Sequence, residues 1–138
     1  MAGNSADATV AERFLAAFGA RDWDALRALL APDITWSMPG GGTISGTIHG
    51  SDAAIARVQE IAGRGLHTEL LHVLVGQHGV ALSLRNTAQA PDGRSLDEHL
   101  ATVLTIREGR IAAIDSYLSD VAQMSAFFSP EDRAEGRR

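Results

Sequence analysis

Apolar residues fall at helical spacing near the start of the chain. Val10, Phe14, Ala17 and Phe18 form one stripe, with Asn4 or Ser5 placed to cap the helix. A second short helix carries Trp23, Leu26, Leu29 and Leu30, capped by Asp22 and stopped before Pro32. A short strand over 34–38 runs into Pro39 and the Gly40-Gly41-Gly42 turn, and another extended piece covers 43–48. Ser51 is placed to cap a third helix, with Ile55, Val58 and Ile61 on one face and Gly63 as its stop. Beyond Gly65 the period changes to two. Four strands are predicted, at 66–75, 80–88, 95–106 and 111–118, joined by the turn-forming stretches QHG, APDGR and REGR. A last helical piece over 120–128 offers Val121, Met124, Phe127 and Phe128. Three helices followed by an antiparallel meander predict an α+β domain with the helices packed on one face of a curved sheet.

The hairpin around Pro91-Asp92-Gly93 has a readable register. Even positions give Val80, Leu82, Leu84, Leu96, Leu100, Leu104 and Ile106, whereas odd positions give Ser83, Arg85, Thr87, Asp97, His99 and Thr105. The even face is the one to bury, because burying the other would strand several polar groups. Asn86, Glu98 and Thr102 share that apolar face. If the turn pairs Ala90 with Arg94, Asn86 lies opposite Glu98 and Leu82 opposite Thr102. A carboxyl among leucines is desolvated and its pKa rises, which suits a general acid or base near neutral pH, with Asn86 as a neighbouring amide to orient it. The plainer alternative places Glu98 at the strand end, on the rim, solvated or paired with an arginine. The strand at 66–75 is a tie between two parities. His72 is a reserve base under one of them and a structural histidine otherwise.

Composition narrows the chemistry. With 138 residues the chain fits one domain, with an ordered core over about 5–128 and polar ends at 1–4 and 129–138 that are expected to fray. Twelve cations stand against 17 acids, for a net charge of -5, so no basic field holds nucleic acid. Cysteine and lysine are both absent, which removes thiolate nucleophiles, disulfides, thiolate-bound zinc, Schiff bases and pyridoxal chemistry. No apolar run reaches membrane-spanning length and the N-terminus has no signal-peptide pattern, so a cytoplasmic protein without a membrane partner is expected. The glycine stretch at 40–46 has Ser45 where a dinucleotide fingerprint needs its third glycine. The five histidines are scattered, and Glu98 and His99, adjacent on a strand, face opposite sides; neither a metal nor another cofactor is expected.

The motifs W-x-x-P-G at 36–40, G-T-x-x-G at 46–50 and E-G-R-I at 108–111, followed by Tyr117 and Asp120, resemble in order and spacing the SnoaL-like branch of the nuclear transport factor 2-like superfamily. The resemblance runs from Ala11 to Phe128. It implies a cone of curved antiparallel or mixed sheet closed by three N-terminal helices and a short C-terminal one, with an apolar pocket inside. Its members include polyketide cyclases, ketosteroid isomerases, epoxide hydrolases, dehydratases and proteins without known catalysis. The isomerase tyrosine and two aspartates correspond to Phe14, Met38 and Thr102 here, so standard steroid isomerisation is not implied. The hydrolase Arg-x-Asp pair corresponds to Arg85 and Thr87, and its partner aspartate to Ser116.

The expected pocket is lined by Phe14, Trp36, Met38, Leu82, Leu84, Leu100, Ile114 and Leu118, with Asn86, Glu98, Thr102 and Ser116 as its polar groups. Asp120 is read as a helix cap rather than an acid, and Tyr117 as facing outward. Two readings of function stand side by side. One is a cofactor-independent enzyme acting on a hydrophobic, polyketide-like or polycyclic molecule by acid–base chemistry, with Glu98 as the acid–base group, Asn86 its orienter, and Thr102 or Ser116 the donor to an oxyanion. The other is a binding protein of the same fold. A weaker third is an accessory domain whose sheet face binds another protein. The resemblance also implies a homodimer through the outer sheet face.

Overall fold

The computed structural model describes residues 2–129, with side chains from residue 6 onward. The expectation for the tail falls on 129–138, and 130–138 lie outside the described residues. The elements are α1 (Ala2–Ala20), α2 (Trp23–Ala28), β1 (Leu30–Met38), β2 (Gly46–His49), α3 (Ser51–Ala62), β3 (His67–Val75), β4 (Gly79–Gln89), β5 (Ser95–Arg107), β6 (Arg110–Leu118) and α4 (Val121–Phe127). The six strands form one curved, unclosed sheet in the order β2-β1-β6-β5-β4-β3. β1 and β6 run parallel and every other neighbouring pair is antiparallel. The fold is α+β, as the pattern of periods predicts.

The apolar stripe of α1 is buried, with Ala11 fully enclosed and Val10, Phe14 and Ala17 beside it. Its start differs from expectation: the helix begins at Ala2, so Asn4 and Ser5 lie inside it and neither is its cap. Asp22 does cap α2, its carboxylate accepting from the Ala25 N–H at 3.1 Å. The cap of α3 is Gly50, not Ser51. Its φ of 93° is the left-handed turn out of β2 that side chains disfavour, so glycine takes the cap position and Ser51 becomes the first helical residue. β1 starts four residues earlier than 34. Pro32 is tolerated because the β1–β6 register shifts between Leu30 and Thr35, where no ladder N–H is required of it. The extended piece expected at 43–48 begins only at Gly46. Residues 43–45 are turn, with the Ser45 N–H donating to Gly42 O and the Gly42 N–H to Ser45 Oγ.

The β4–β5 hairpin has the expected register. Ala90 N–H donates to Arg94 O at 2.8 Å, and Asn86 pairs with Glu98 and Leu82 with Thr102. The strands approach so closely that a Cβ on Gly79 would lie 1.9 Å from Leu104 O. β3 follows neither parity throughout. Thr68 and Leu70 pair with Asn86 and Leu84, then the register shifts, and His72 pairs with Ser83 and Val73 with Leu82. Leu71 is the extra residue of a β-bulge, which reverses the faces halfway along the strand.

Fully buried Leu26, Ile34, Leu82, Leu104, Ile111 and Ile114 form the centre of the core. α4 closes one side and is held at both ends. Asp120 caps it by accepting from the Gln123 N–H, while Arg64 and Arg94 donate to the Phe127 carbonyl at its C-terminus. The Gly40–Gly42 loop docks on it: Gly41 N–H donates to Ser125 Oγ and Thr43 N–H to Phe128 O. A Cβ on Gly42 would meet Phe128 O at 2.9 Å, so this glycine serves close approach of two backbones.

Candidate functional site

The inner sheet face, α1, α3 and α4 border a partly open cavity. Its walls are Phe14 and Phe18 from α1, Trp36 and Met38 from β1, Val58 and Ile61 from α3, Leu84 and Leu100 from the sheet, and Met124 and Phe128 at the α4 end. It has room for water centres over about 70 Å³, several times what one buried water needs. The wall is almost entirely hydrocarbon. Its polar groups are Thr68, Asn86, Glu98, Thr102 and Ser116, all on neighbouring strands of one sheet face.

Glu98 is 3% exposed, and its Oε2 is buried without a hydrogen-bond partner. Period-two placement puts it there: it sits between Leu96 and Leu100 on the face that the core covers, so a carboxyl takes a position otherwise given to leucine. Burial, with the Asp120 carboxylate adding to it, pushes its pKa from 4.5 to about 7. Directly across the ladder, Asn86 accepts a hydrogen bond from Thr68 Oγ1–H at 2.7 Å through Oδ1. With its oxygen engaged, the Asn86 amide has N–H donors left for the cavity.

A second polar pair lies further along β5. Thr102 faces Ser116 across the β5–β6 ladder, and both are 7% exposed. Ser116 Oγ accepts from the Trp36 indole N–H at 3.1 Å, so the serine proton remains to be donated. Trp36 is itself held from behind. The buried Arg57 guanidinium lies 5.4 Å from the indole centroid and donates to the carbonyls of Trp36, Ser45 and Gly46 at 3.1–3.3 Å. Burial lowers the Arg57 pKa, against the raising influence of Glu60. Its partners are backbone carbonyls, an arrangement that ties α3 to the β1–β2 turn and fixes the tryptophan ring.

Of the lining expected from sequence, Phe14, Trp36, Met38, Leu84, Leu100, Ser116 and Leu118 do border the cavity, as do Asn86, Glu98 and Thr102. Three expectations need correction. Ile114 is 1% exposed and pairs with Leu104 and Trp36 in the packed core, away from the cavity, and Leu82 likewise sits in core rather than lining. His72 is exposed on the outer face opposite Ser83, because the bulge at Leu71 turns it away, so it does not serve as a base in this cavity. Arg85 also points outward, in a bidentate pair with Asp97 at 2.8–2.9 Å. Sequence reasoning missed Thr68, whose position depends on the β3 register, and Arg57, which looks like any surface cation on a helix.

The SnoaL-like domain family matches residues 11–114. The Mycobacterium tuberculosis protein Rv0034, described as uncharacterized, is 26% identical over 129 residues, covering 91% of this chain and 98% of its own. Among solved structures, Bal32a from a soil-derived mobile gene cassette superposes with a TM-score of 0.84 at 29% identity, over 91% of this chain and 98% of that one. An NTF2-like protein from Burkholderia xenovorans LB400 superposes with a TM-score of 0.79 at 22% identity, over 91% and 98%, a likeness of fold. The match spans most of the chain: this protein belongs to the SnoaL-like domain family.

Proposed function

We propose that this protein is a cofactor-independent general acid–base catalyst acting on a hydrophobic, polyketide-like or polycyclic small molecule. Cyclisation, isomerisation and dehydration of such molecules share one elementary step, a proton taken from or returned to a carbon of the skeleton, and hydrolysis draws on the same base to take a proton from water. The observation that carries the reading is the Glu98 carboxyl, buried on the wall of an apolar cavity with Oε2 unpartnered. A naked buried carboxyl oxygen costs about 1–3 kcal/mol, and a ligand donor placed against it would recover that cost. With a pKa near 7, both its ionised and protonated forms are populated at neutrality. The carboxylate takes a proton from carbon, the electron pair moves to the neighbouring carbonyl as an enolate, and the new carboxylic acid returns the proton at a second position.

The test uses 1-tetralone in D₂O, followed by NMR. The protein accelerates exchange of the protons beside the carbonyl, and Glu98→Gln lowers that acceleration by roughly 100-fold or more. Equal exchange by wild type and variant would refute the assignment. The competing reading, a protein that binds without turnover, draws on the family resemblance, which implies that Phe14, Met38 and Thr102 stand where ketosteroid isomerases carry their catalytic tyrosine and aspartates. Binding of 1-tetralone without exchange would favour it.

The same proposal includes a homodimer through the outer sheet face, where Tyr117 is 62% and Leu74 57% exposed. Light scattering expects twice the chain mass, and Tyr117→Glu shifts it toward monomer.

A further inference from the structure

The cavity has two separate polar ends joined by hydrocarbon. Glu98 and Asn86 form one, across β4 and β5. Thr102 and Ser116 form the other, across β5 and β6. Glu98 and Thr102 are four residues apart on one strand, which separates their backbones by about 13 Å. Between them Leu84 faces Leu100, and Met38 and Phe14 add to the apolar stretch.

The two ends also differ in what they ask for. Glu98 Oε2 is an acceptor without a donor, while the Asn86 amide beside it, its oxygen taken by Thr68, has N–H groups to give. That pair fits a group which both donates and accepts, such as a hydroxyl or the enol form of a carbonyl. At the far end the Ser116 oxygen already receives the indole N–H, so its proton points onward, with the Thr102 hydroxyl beside it. The indole bond polarises the serine hydroxyl and makes it a better donor. That pair fits an oxygen acceptor. Arg57 behind the Trp36 ring keeps this donor in place from outside the cavity.

We infer that the substrate is an elongated, flat molecule with oxygen functions at both ends, an ionisable or enolisable one held at Glu98 and Asn86 and a carbonyl-type acceptor held at Ser116 and Thr102. This rests on the acid–base reading above and deepens it by naming the spacing of the substrate's polar groups. A molecule with oxygen at one end only leaves the other pair buried against hydrocarbon, and sites built for hydrogen bonds discriminate strongly against such analogues.

Three probes with one bicyclic skeleton test it by calorimetry: 6-hydroxy-1-tetralone, with oxygen at both ends; 1-tetralone, whose lone ketone can seat at either end and meets Glu98 only when it seats at the near one; and 5,6,7,8-tetrahydro-2-naphthol, with the phenol alone. The two-ended probe is expected to bind wild type at least tenfold tighter than either single-ended one. Thr102→Val, and separately Ser116→Ala, should erase its advantage over the phenol, with thermal unfolding confirming that each variant is folded. Glu98→Leu should erase its advantage over the ketone. Equal affinity for all three probes, or no binding of any, overturns the inference. If Glu98→Leu weakens binding and both far-end variants leave it unchanged, the far end is wrong while the acid–base reading stands. If only the far-end variants weaken binding, the role given to Glu98 falls.

Discussion

Replacing Glu98 with glutamine should change how the protein's stability responds to pH, with no ligand required. Glutamine has nearly the same shape and cannot ionise, so the difference between the two proteins isolates one carboxyl. Below pH 4.5 the folded and unfolded wild-type chains both keep the proton. Between 4.5 and about 7 the unfolded chain releases it and the folded chain retains it, so stability falls as pH rises; above 7 both have ionised and the loss is complete. At about 1.4 kcal/mol per pH unit of separation, the total is on the order of 3 kcal/mol. The variant has no such slope. Urea titrations from pH 4 to 8 should therefore show Glu98→Gln close to wild type at the acid end and more stable by roughly 3 kcal/mol at the basic end. In thermal melts the gap is roughly 10 °C for a chain of this length. Parallel curves across the range would mean that Glu98 reaches solvent or a partner cation, and the argument for a desolvated base would fail.

Asp120→Asn should lower the Glu98 midpoint, because it removes the added negative charge while asparagine still caps α4; carbon-13 NMR of the Glu98 carboxyl reads this directly. Gly79→Ala should cost more than about 2 kcal/mol in urea denaturation, since its Cβ collides with the Leu104 carbonyl and β4 and β5 must part. Arg57→Met keeps the bulk yet leaves the carbonyls of Trp36, Ser45 and Gly46 without their donor. A loss of about 2–3 kcal/mol is expected, together with a shifted fluorescence maximum from the released Trp36 ring.

What could be read from sequence depended on how local the deciding interaction is. The β4–β5 hairpin was legible because its turn and both alternating strands lie within one short stretch, so pairing Ala90 with Arg94 fixes Asn86 against Glu98. β3 was not, because each parity is right for half the strand. Adjacent Leu70 and Leu71 were the visible trace of the bulge, and without that register Thr68 could not be assigned to the site or His72 removed from it. The Gly40–Gly42 stretch reads as a turn. Its steric reason, the backbone of Phe128, lies over 80 positions away, beyond the reach of any window. The early start of β1 was hidden by Pro32, whose tolerance depends on an irregularity in its pairing with a strand from the other end of the chain. Arg57 gave no signal, since its partners are carbonyls and carbonyls have no letter in a sequence.

The parallel contact between β1 and β6 also dictates an order of events during synthesis. Trp36 pairs with Ile114, 78 positions later, so β1 leaves the ribosome with one hydrogen-bonding edge open and keeps it open until most of the chain has followed. Until then the emerging polypeptide is a sticky half-sheet, and the meander must fold before the first strand is shielded. Nascent chains stopped before residue 110 should therefore collect on holdase chaperones, whereas chains carried past α4 should not. The cavity also waits on these later residues, since Ser116 of β6, Met124 of α4 and Phe128 just beyond it all line its wall. A half-made copy exposes a strand edge and lacks part of the cavity wall.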